Sequence, residues 1–259
     1  MSRYAAMFAQ LGGEGALGAF VMLGDPATAN LLEALPDLGA DMVEVGIPFS
    51  DPVADGPVIQ AAAKRALDAG AKVADCFALI AAFRARHPQI PIGILTYANL
   101  VIARGREDFF RRAAGAGADS LLVADLPARE AEPWTTDMRV AGLDPVLIAA
   151  SNTPPATIAE IARIGSGYTY CVTRAGITGV HAAAEFDKDL IAALRDARAA
   201  PPIFGFGISA PVHVRAAVAA GAAGVISGSA IVSLASEGGD VAGFVSSLKA
   251  ATRNDSPPR

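Results

Sequence analysis

Apolar and polar positions along the chain fall into a repeating order. Short β-branched runs recur, and each is followed by a turn and an Ala-rich stretch of helix length. The runs cover residues 17–23, 42–46, 92–96, 120–124, 145–149, 167–172, 203–206 and 224–227. Strands alternating with helices in this number predict an α/β fold, a single (β/α)8 TIM barrel, with a doubly wound open sheet as the second reading. Met1-Ser2-Arg3-Tyr4 leads into an amphipathic stretch instead of a signal sequence, so an extra N-terminal helix is expected ahead of the first strand.

Local signals mark the helix ends. Ser209-Ala210-Pro211 predicts an N-cap followed by a first-turn proline, and Gly221 the stop of the same helix. His87-Pro88 should end a helix that begins near Val73, because the residue before proline disfavours the α region. Gly-Ala-Asp occurs at 39–41 and 117–119 and returns as Gly-Ala-Ala at 221–223, each time between a helix and a β-branched run. These are read as helix-to-strand turns with a left-handed glycine, part of the scaffold. Two segments exceed ordinary turns: 48–57, rich in Pro, Asp and Gly, after the second strand, and 174–186 after the sixth. Loops that follow barrel strands form the catalytic face, and long ones act as lids. The expected organisation is one barrel domain over residues 1–252 and a disordered tail over 253–259.

Composition narrows the function classes. Hydrophobic residues make up 53% of the 259 and charged ones 18%, enough apolar surface for a large core. Aromatics are only 6%, so small aliphatic side chains must fill most of the interior. A net charge of −5 gives no electrostatic reason to expect nucleic acid or an anionic membrane as partner. No apolar run reaches the roughly 18–20 residues of a membrane helix, and a cytoplasmic protein is expected. Cys76 and Cys171 have no metal-ligand spacing and read as free buried thiols in preference to a disulfide. His87, His181 and His213 are not spaced as ligands, and the first and third look like helix-surface residues; no metal site is expected.

Strand alternation places Met42, Glu44 and Gly46 on one face and Val43, Val45 and Ile47 on the other. The β-branched face suits the helices, which turns Glu44 into the barrel near its catalytic end. A carboxyl there should have a raised pKa and serve as a proton donor or acceptor near neutral pH; the alternative is a Glu paired with an inward Arg or Lys. Asp55, ahead of Gly56-Pro57, reads equally well as a catalytic group or as the cap of the next helix, and Asp51-Pro52 as a turn. The turns Gly205-Phe206-Gly207-Ile208-Ser209 and Ser227-Gly228-Ser229-Ala230 follow the last two strands, where barrels hold phosphate on backbone N–H groups; simple tight turns are the other reading. Lys64 and Lys72 lie in or beside helices, which disfavours a Schiff-base mechanism.

The segment EVGIPFSDPVADGP at 44–57 resembles the signature of tryptophan synthase α chains. In the family's order around it come 20–26 (FVMLGDP), 97–100 (YANL), 123–127 (VADLP), 167–170 (GYTY), 174–179 (RAGITG) and 205–209 (GFGIS), so the resemblance covers about residues 3–251. It implies a lyase that cleaves indole-3-glycerol phosphate to indole and glyceraldehyde 3-phosphate. Glu44 would be the acid–base at the indole ring carbon, Asp55 would accept the indole N–H, and Tyr170 would lie beside Glu44. Phe20, Leu95 and Phe206 would line the indole pocket. Gly179, Gly207, Gly228 and Ser229 would hold the phosphate, and Thr178 would bond to Asp55 on loop closure. No cofactor is implied in this chain. The implied partner is a pyridoxal-phosphate-dependent β chain in an α2β2 tetramer, docked through Pro48, Asp51 and Asn99. Met22, Thr96 and Ala175 depart from the residues common in the family at those places. Two further readings share the sequence features: a free-standing lyase that releases indole, and a catalytically weak subunit that regulates a β chain.

Overall fold

The computed structural model describes residues 2–172 and 186–253. Its strands are β1 (Ala16–Met22), β2 (Met42–Gly46), β3 (Ile92–Thr96), β4 (Ser120–Val123), β5 (Asp144–Pro145), β6 (Leu147–Ala150), β7 (Thr169–Val172), β8 (Pro202–Phe204) and β9 (Gly224–Ser227). All pairings are parallel, in the order β5-β4-β3-β2-β1-β9-β8-β7-β6. The two ends of that order, β5 and β6, are consecutive pieces of one strand broken at Val146, so the sheet closes on itself as an eight-staved barrel. The break has a local cause. Pro145 has no N–H to give, and its carbonyl accepts from Ser166, outside the strands. The predicted strand at 145–149 is therefore present, but in two pieces.

Alternation along each strand sorts the core into two layers. Leu17, Ala19, Val21, Val43, Val45, Ile92 and Ile94 face the helices, while Phe20, Met22, Met42, Leu122, Tyr168, Tyr170 and Ile226 fill the barrel. The helix Arg3–Leu11 closes the N-terminal end and inserts Tyr4 and Met7 into the interior layer. None of the helices among the described residues is long and apolar enough to cross a membrane.

The Gly-Ala-Asp turns are scaffold, as expected, and their aspartates show how. Gly39, Gly117 and Gly221 adopt φ of 109°, 94° and 101°. Asp41 Oδ2 accepts the Leu17 N–H at 2.7 Å and Asp119 Oδ2 the Ile92 N–H at 2.8 Å, so each binds the start of the preceding stave. Lys249 pairs with Asp41, and Arg3 and Arg84 with Asp119. In the third copy the equivalent position of the preceding stave is Pro202, whose carbonyl accepts from Ala223. Proline offers no N–H for a carboxylate, which accounts for Ala in place of Asp. A cleft of about 560 Å³ lined by Arg3, Asp119 and Arg139 opens on this N-terminal face, at the opposite end from Asp55.

Some local readings need correction. Ser209 does not cap the helix Pro211–Ala220; Ala210 stands at the N-cap without a side-chain bond, and the Ser209 N–H is taken by His213 Nδ1 at 3.2 Å. His87 is half-buried at the end of its helix: its ring packs on Phe83 at 4.8 Å and its Nε2 meets the Glu33 carbonyl at 3.1 Å. The helix Val73–Arg86 ends where predicted. Cys76 and Cys171 are free and buried, and burial pushes both thiols up to about 12.

Thr96 is fully buried, and its hydroxyl has no partner among the described residues. An unsatisfied buried hydroxyl costs about 1–3 kcal/mol. Thr96→Val keeps the shape and removes that cost. It is expected to raise stability by about 1 kcal/mol and the melting midpoint by roughly 2–4 °C, read by calorimetry or denaturant titration. A variant less stable than the parent would show that the hydroxyl is satisfied.

Candidate active site

Glu44 sits in the middle of β2, paired in register between Phe20 of β1 and Gly93 of β3. It faces the barrel interior as alternation requires, with 1% of its surface exposed. Its partner is not an Arg or Lys but the Tyr168 hydroxyl, which donates to Oε1 at 2.7 Å. Burial raises the carboxyl from 4.5 to about 7; the Tyr168 bond opposes this, and the charge of Asp55 adds to it. The group therefore exchanges protons near neutral pH. Beneath it, the Tyr4 hydroxyl and Ser120 Oγ share a hydrogen bond at 2.8 Å, and the Tyr4 and Tyr168 rings lie 5.3 Å apart. Gly93 makes room for this hydroxyl layer, since a Cβ there would fall 2.5 Å from Ser120 Oγ and 2.9 Å from the Tyr4 hydroxyl.

Tyr170 was expected beside Glu44. It lies in the same layer, close enough for Glu44 and Asp55 to add to the burial that raises its phenol pKa, but its hydroxyl donates to the Gly205 carbonyl at 3.2 Å. The hydrogen-bond partner of Glu44 is Tyr168, one inward position earlier on the same stave. From sequence alone Tyr168 had no assigned role. The Tyr170 ring covers Gly205, where a Cβ would come within 2.0 Å of Cζ. Gly205 thus seats an aromatic ring as well as opening a turn. Phe206 meets Tyr170 edge-on, with centroids 6.2 Å apart. Phe20, Leu95 and Phe206 all belong to the upper part of the barrel layer, with Ile148 and Val172. Phe20 and Met22 lean over Gly46, where a Cβ would meet them at 2.7 and 2.9 Å. The departure at Met22 therefore falls in the pocket wall.

Asp55 does not cap the following helix. Gly56 stands at the N-cap of Pro57–Asp68 without a side-chain bond. The Asp55 carbonyl accepts from Gln60 Nε2 at 2.7 Å, and burial raises the pKa of its half-buried carboxyl, with the nearby Tyr97 phenol opposing the rise. The same helix is tied to the end of β1 by Arg65, which grips the fully buried Asp25 with Nε and Nη2 at 2.9 and 2.7 Å. Neither Tyr97 nor the Asp25–Arg65 pair was singled out in the sequence.

At the ends of β8 and β9, Gly207 has φ of 77° and is exposed, and Gly228 precedes the helix Ser229–Ser236, whose N-terminus carries no side-chain cap. Ser227 Oγ donates to the Ile208 carbonyl at 2.8 Å and locks the two turns together. Backbone N–H groups at such turns suit a phosphate. Thr178, Gly179 and Ala175 lie outside the described residues. Asp51 and Asn99 are exposed at the mouth, two and three positions before the exposed Val53 and Ile102 respectively. Pro48 is buried, so it can shape a docking face but offers little surface to one.

Comparison with known proteins agrees with this fold. A family model described as the tryptophan synthase alpha chain matches residues 8–253. The chain is 49% identical over 238 residues to the tryptophan synthase alpha chain of Shewanella amazonensis, covering 90% of each. It is 45% identical to that of Serratia proteamaculans, covering 98% of this chain and 100% of the relative. Among solved structures, tryptophan synthase of Mycobacterium tuberculosis superimposes with a TM-score of 0.89 at 29% identity, covering 98% of this chain and 99% of the other. The tryptophan synthase subunit alpha of Legionella pneumophila gives 0.84 at 28%, covering 97% and 98%. The chain belongs to the tryptophan synthase alpha chain family.

Proposed function

We propose that the chain is a carbon–carbon lyase that cleaves indole-3-glycerol phosphate to indole and glyceraldehyde 3-phosphate in the cytoplasm, as the α subunit of a tryptophan synthase. The observation that carries the reading is a carboxyl poised near pH 7 inside an apolar barrel, with a second carboxyl at the mouth and two phosphate-type turns beside them. Protonated Glu44 donates to the indole ring carbon that bears the glycerol chain. The positive charge this creates on the ring is spread to its nitrogen, where Asp55 accepts the N–H. The bond between ring and chain then breaks, its electron pair returns to the ring, and the Glu44 carboxylate takes the proton of the adjacent chain hydroxyl, leaving the aldehyde. Glu44 ends protonated, ready for another turn. The ring itself stores the electron pair, so the step calls for no cofactor in this chain.

Phe20, Leu95 and Phe206 would hold the indole, with Tyr170 against the reacting end. Gly207, Gly228 and Ser229, with Gly179 of the long loop, would hold the phosphate and anchor the substrate at a distance from the reacting bond, and Thr178 would bond to Asp55 on loop closure. A β chain carrying pyridoxal phosphate, in an α2β2 tetramer, is the proposed partner. Asp51 and Asn99 supply polar contacts at the mouth and Val53 and Ile102 apolar ones, over a buried Pro48. Capping the mouth excludes water, so partner binding should speed the lyase step. Titrating a cognate β chain into the purified chain is expected to raise aldehyde release at least roughly tenfold, equivalent to about 1.4 kcal/mol of barrier. Full speed without a β chain would support the free-standing lyase, and negligible turnover in both states the regulatory subunit.

Glu44→Gln keeps the shape and removes the donor, so turnover should nearly vanish while a glycerol phosphate ligand still binds. The same change tests the cost of the site. A carboxyl raised from 4.5 to about 7 favours the fold fully below pH 4.5, and that contribution is lost as the pH rises through about 7. Above pH 7 the loss amounts to about 3 kcal/mol. Glu44→Gln should therefore gain stability on the parent between pH 4.5 and pH 8 in parallel melts; a constant difference would mean that Glu44 titrates normally.

Tyr168→Phe removes the bond that holds the Glu44 pKa down. The limb of kcat that falls as Glu44 loses its proton should move from near pH 7 to higher pH in this variant. An unmoved limb would assign that ionisation to another group.

A further inference from the structure

Between β8 and the helix Pro211–Ala220 the chain makes the turn Gly205-Phe206-Gly207-Ile208-Ser209. Its first residue is fixed on both sides: the Gly205 N–H bonds to the Cys171 carbonyl at 3.2 Å, and its own carbonyl accepts from Tyr170 at 3.2 Å. The far end is held through one peptide unit gripped by two side chains at once. The Ile208 carbonyl accepts from Ser227 Oγ at 2.8 Å, and the Ser209 N–H of the same peptide donates to His213 Nδ1 at 3.2 Å. Both grips come from elements fixed elsewhere. Ser227 is fully buried at the end of β9, in register with Ala19 of β1. His213 is half-buried in the first turn of its helix, where its own N–H bonds to the Ala210 carbonyl at 3.0 Å. Only Phe206 and Gly207 are left between the two anchors, and Gly207 stands in the left-handed region at φ 77° with open space around it. Among the described residues no backbone carbonyl accepts from the N–H groups of Gly207 and Ile208.

We infer that His213 is a positioning residue for anion binding: by holding the Ile208–Ser209 peptide against Ser227, it presets the arch whose N–H groups bind the phosphate. The inference rests on the proposed phosphate role of the turns at Gly207 and Gly228. A peptide bonded at both its carbonyl and its N–H cannot turn over without breaking two hydrogen bonds. The turn is therefore ordered in the fold and not at the moment the anion arrives, which is the gain of preorganisation. The Ser209 N–H, taken by His213, is withdrawn from the donors that meet the anion. An imidazole that accepts at Nδ1 is neutral, with its proton on Nε2, so the effect is one of geometry and not of charge.

His213→Asn keeps an acceptor oxygen at the place of Nδ1, whereas His213→Leu keeps bulk and removes the acceptor. Calorimetric titration with glycerol 3-phosphate should find His213→Leu weakened roughly five- to tenfold and His213→Asn within about twofold of the parent. Binding of indole, which carries no phosphate, should be equal in all three chains. In the complex with a β chain, KM for indole-3-glycerol phosphate should rise by the same factor in His213→Leu, with kcat changed by less than about threefold. Amide hydrogen exchange reads the grip directly: Ser209 should exchange more slowly in the parent and in His213→Asn than in His213→Leu. Equal affinity for glycerol 3-phosphate in the parent and His213→Leu, equal weakening in both variants, or a parallel loss of indole binding would overturn the inference. Tighter binding by His213→Leu would overturn it too, by showing that the Ser209 N–H is itself an anion donor. If the parent binds no glycerol 3-phosphate while the exchange pattern holds, the grip on Ser209 stands and the phosphate reading of the turn falls.

Discussion

A carboxyl held inside an apolar barrel with no cation beside it is the constraint on which the upper half of this structure depends. Water is excluded from Glu44, so its charged form is expensive and its proton is shared with the environment near pH 7. A guanidinium in the same place would hold the proton off and end its use as an acid. The fold supplies a phenol instead. Tyr168 gives one hydrogen bond, enough to fix the carboxyl's position and too little to abolish its raised pKa. Everything packed nearby keeps that balance: Tyr170 turns its hydroxyl to the backbone of Gly205, and Tyr4 spends its own on Ser120.

The two ends of the barrel use charge in opposite ways. At the N-terminal end Asp41 and Asp119 are each matched by basic side chains and by a backbone N–H, so their carboxylates are fully engaged in holding staves and helices together. At the C-terminal end Glu44 is buried with a single tyrosine bonded to it, and Asp55 is half-buried with no basic side chain paired to it among the described residues. Stability is concentrated where aspartates are saturated with partners, and proton chemistry where they are starved of them. The Asp25–Arg65 pair stands between the two regimes. Its aspartate is buried and saturated by a half-exposed guanidinium at the catalytic end, and the pair fastens the helix that carries the far side of the Asp55 loop.

Much of this was legible in the sequence because it is local. Period-two alternation put Glu44 inward and Val43 and Val45 outward, and the glycines of the repeated turns declared their left-handed backbone. What sequence alone missed was set by contacts between distant staves. Tyr168 and Tyr170 share a face, and which of them meets Glu44 depends on the stagger of β7 against β2, four neighbours away in the closed sheet. Asp55 was balanced between cap and catalyst because the support of its loop comes from afar: the Ala54 N–H beside it bonds to the hydroxyl of Tyr97, 42 positions from Asp55 at the end of β3. Ser209 failed as a cap for a related reason: a His side chain one turn into the helix took the N–H that the motif leaves free.

The remaining question is how so narrow a barrel holds three tyrosines, a glutamate and two phenylalanines in its interior. An eight-stranded barrel is just wide enough for side chains to fill, so each large group needs a small one opposite. The inward glycines meet that need in pairs that can be named. Gly93 yields to Tyr4 and Ser120, Gly46 to Phe20 and Met22, and Gly205 to the Tyr170 ring. Each lies on the inward face or at the catalytic end of its stave, so the absence of a side chain leaves a strand in register while moving bulk to its neighbour. The site is therefore shaped as much by where the chain has no side chain as by the carboxyls themselves. An alanine at 46 or 93 would crowd the layers above or below Glu44 without touching either proposed catalytic residue. Rings pack the outer layer as well, Phe77, Phe83, Phe109 and Phe110 among them, but inside the barrel Tyr4, Phe20, Tyr168 and Tyr170 share the layer of the one group whose chemistry requires a dry, rigid wall.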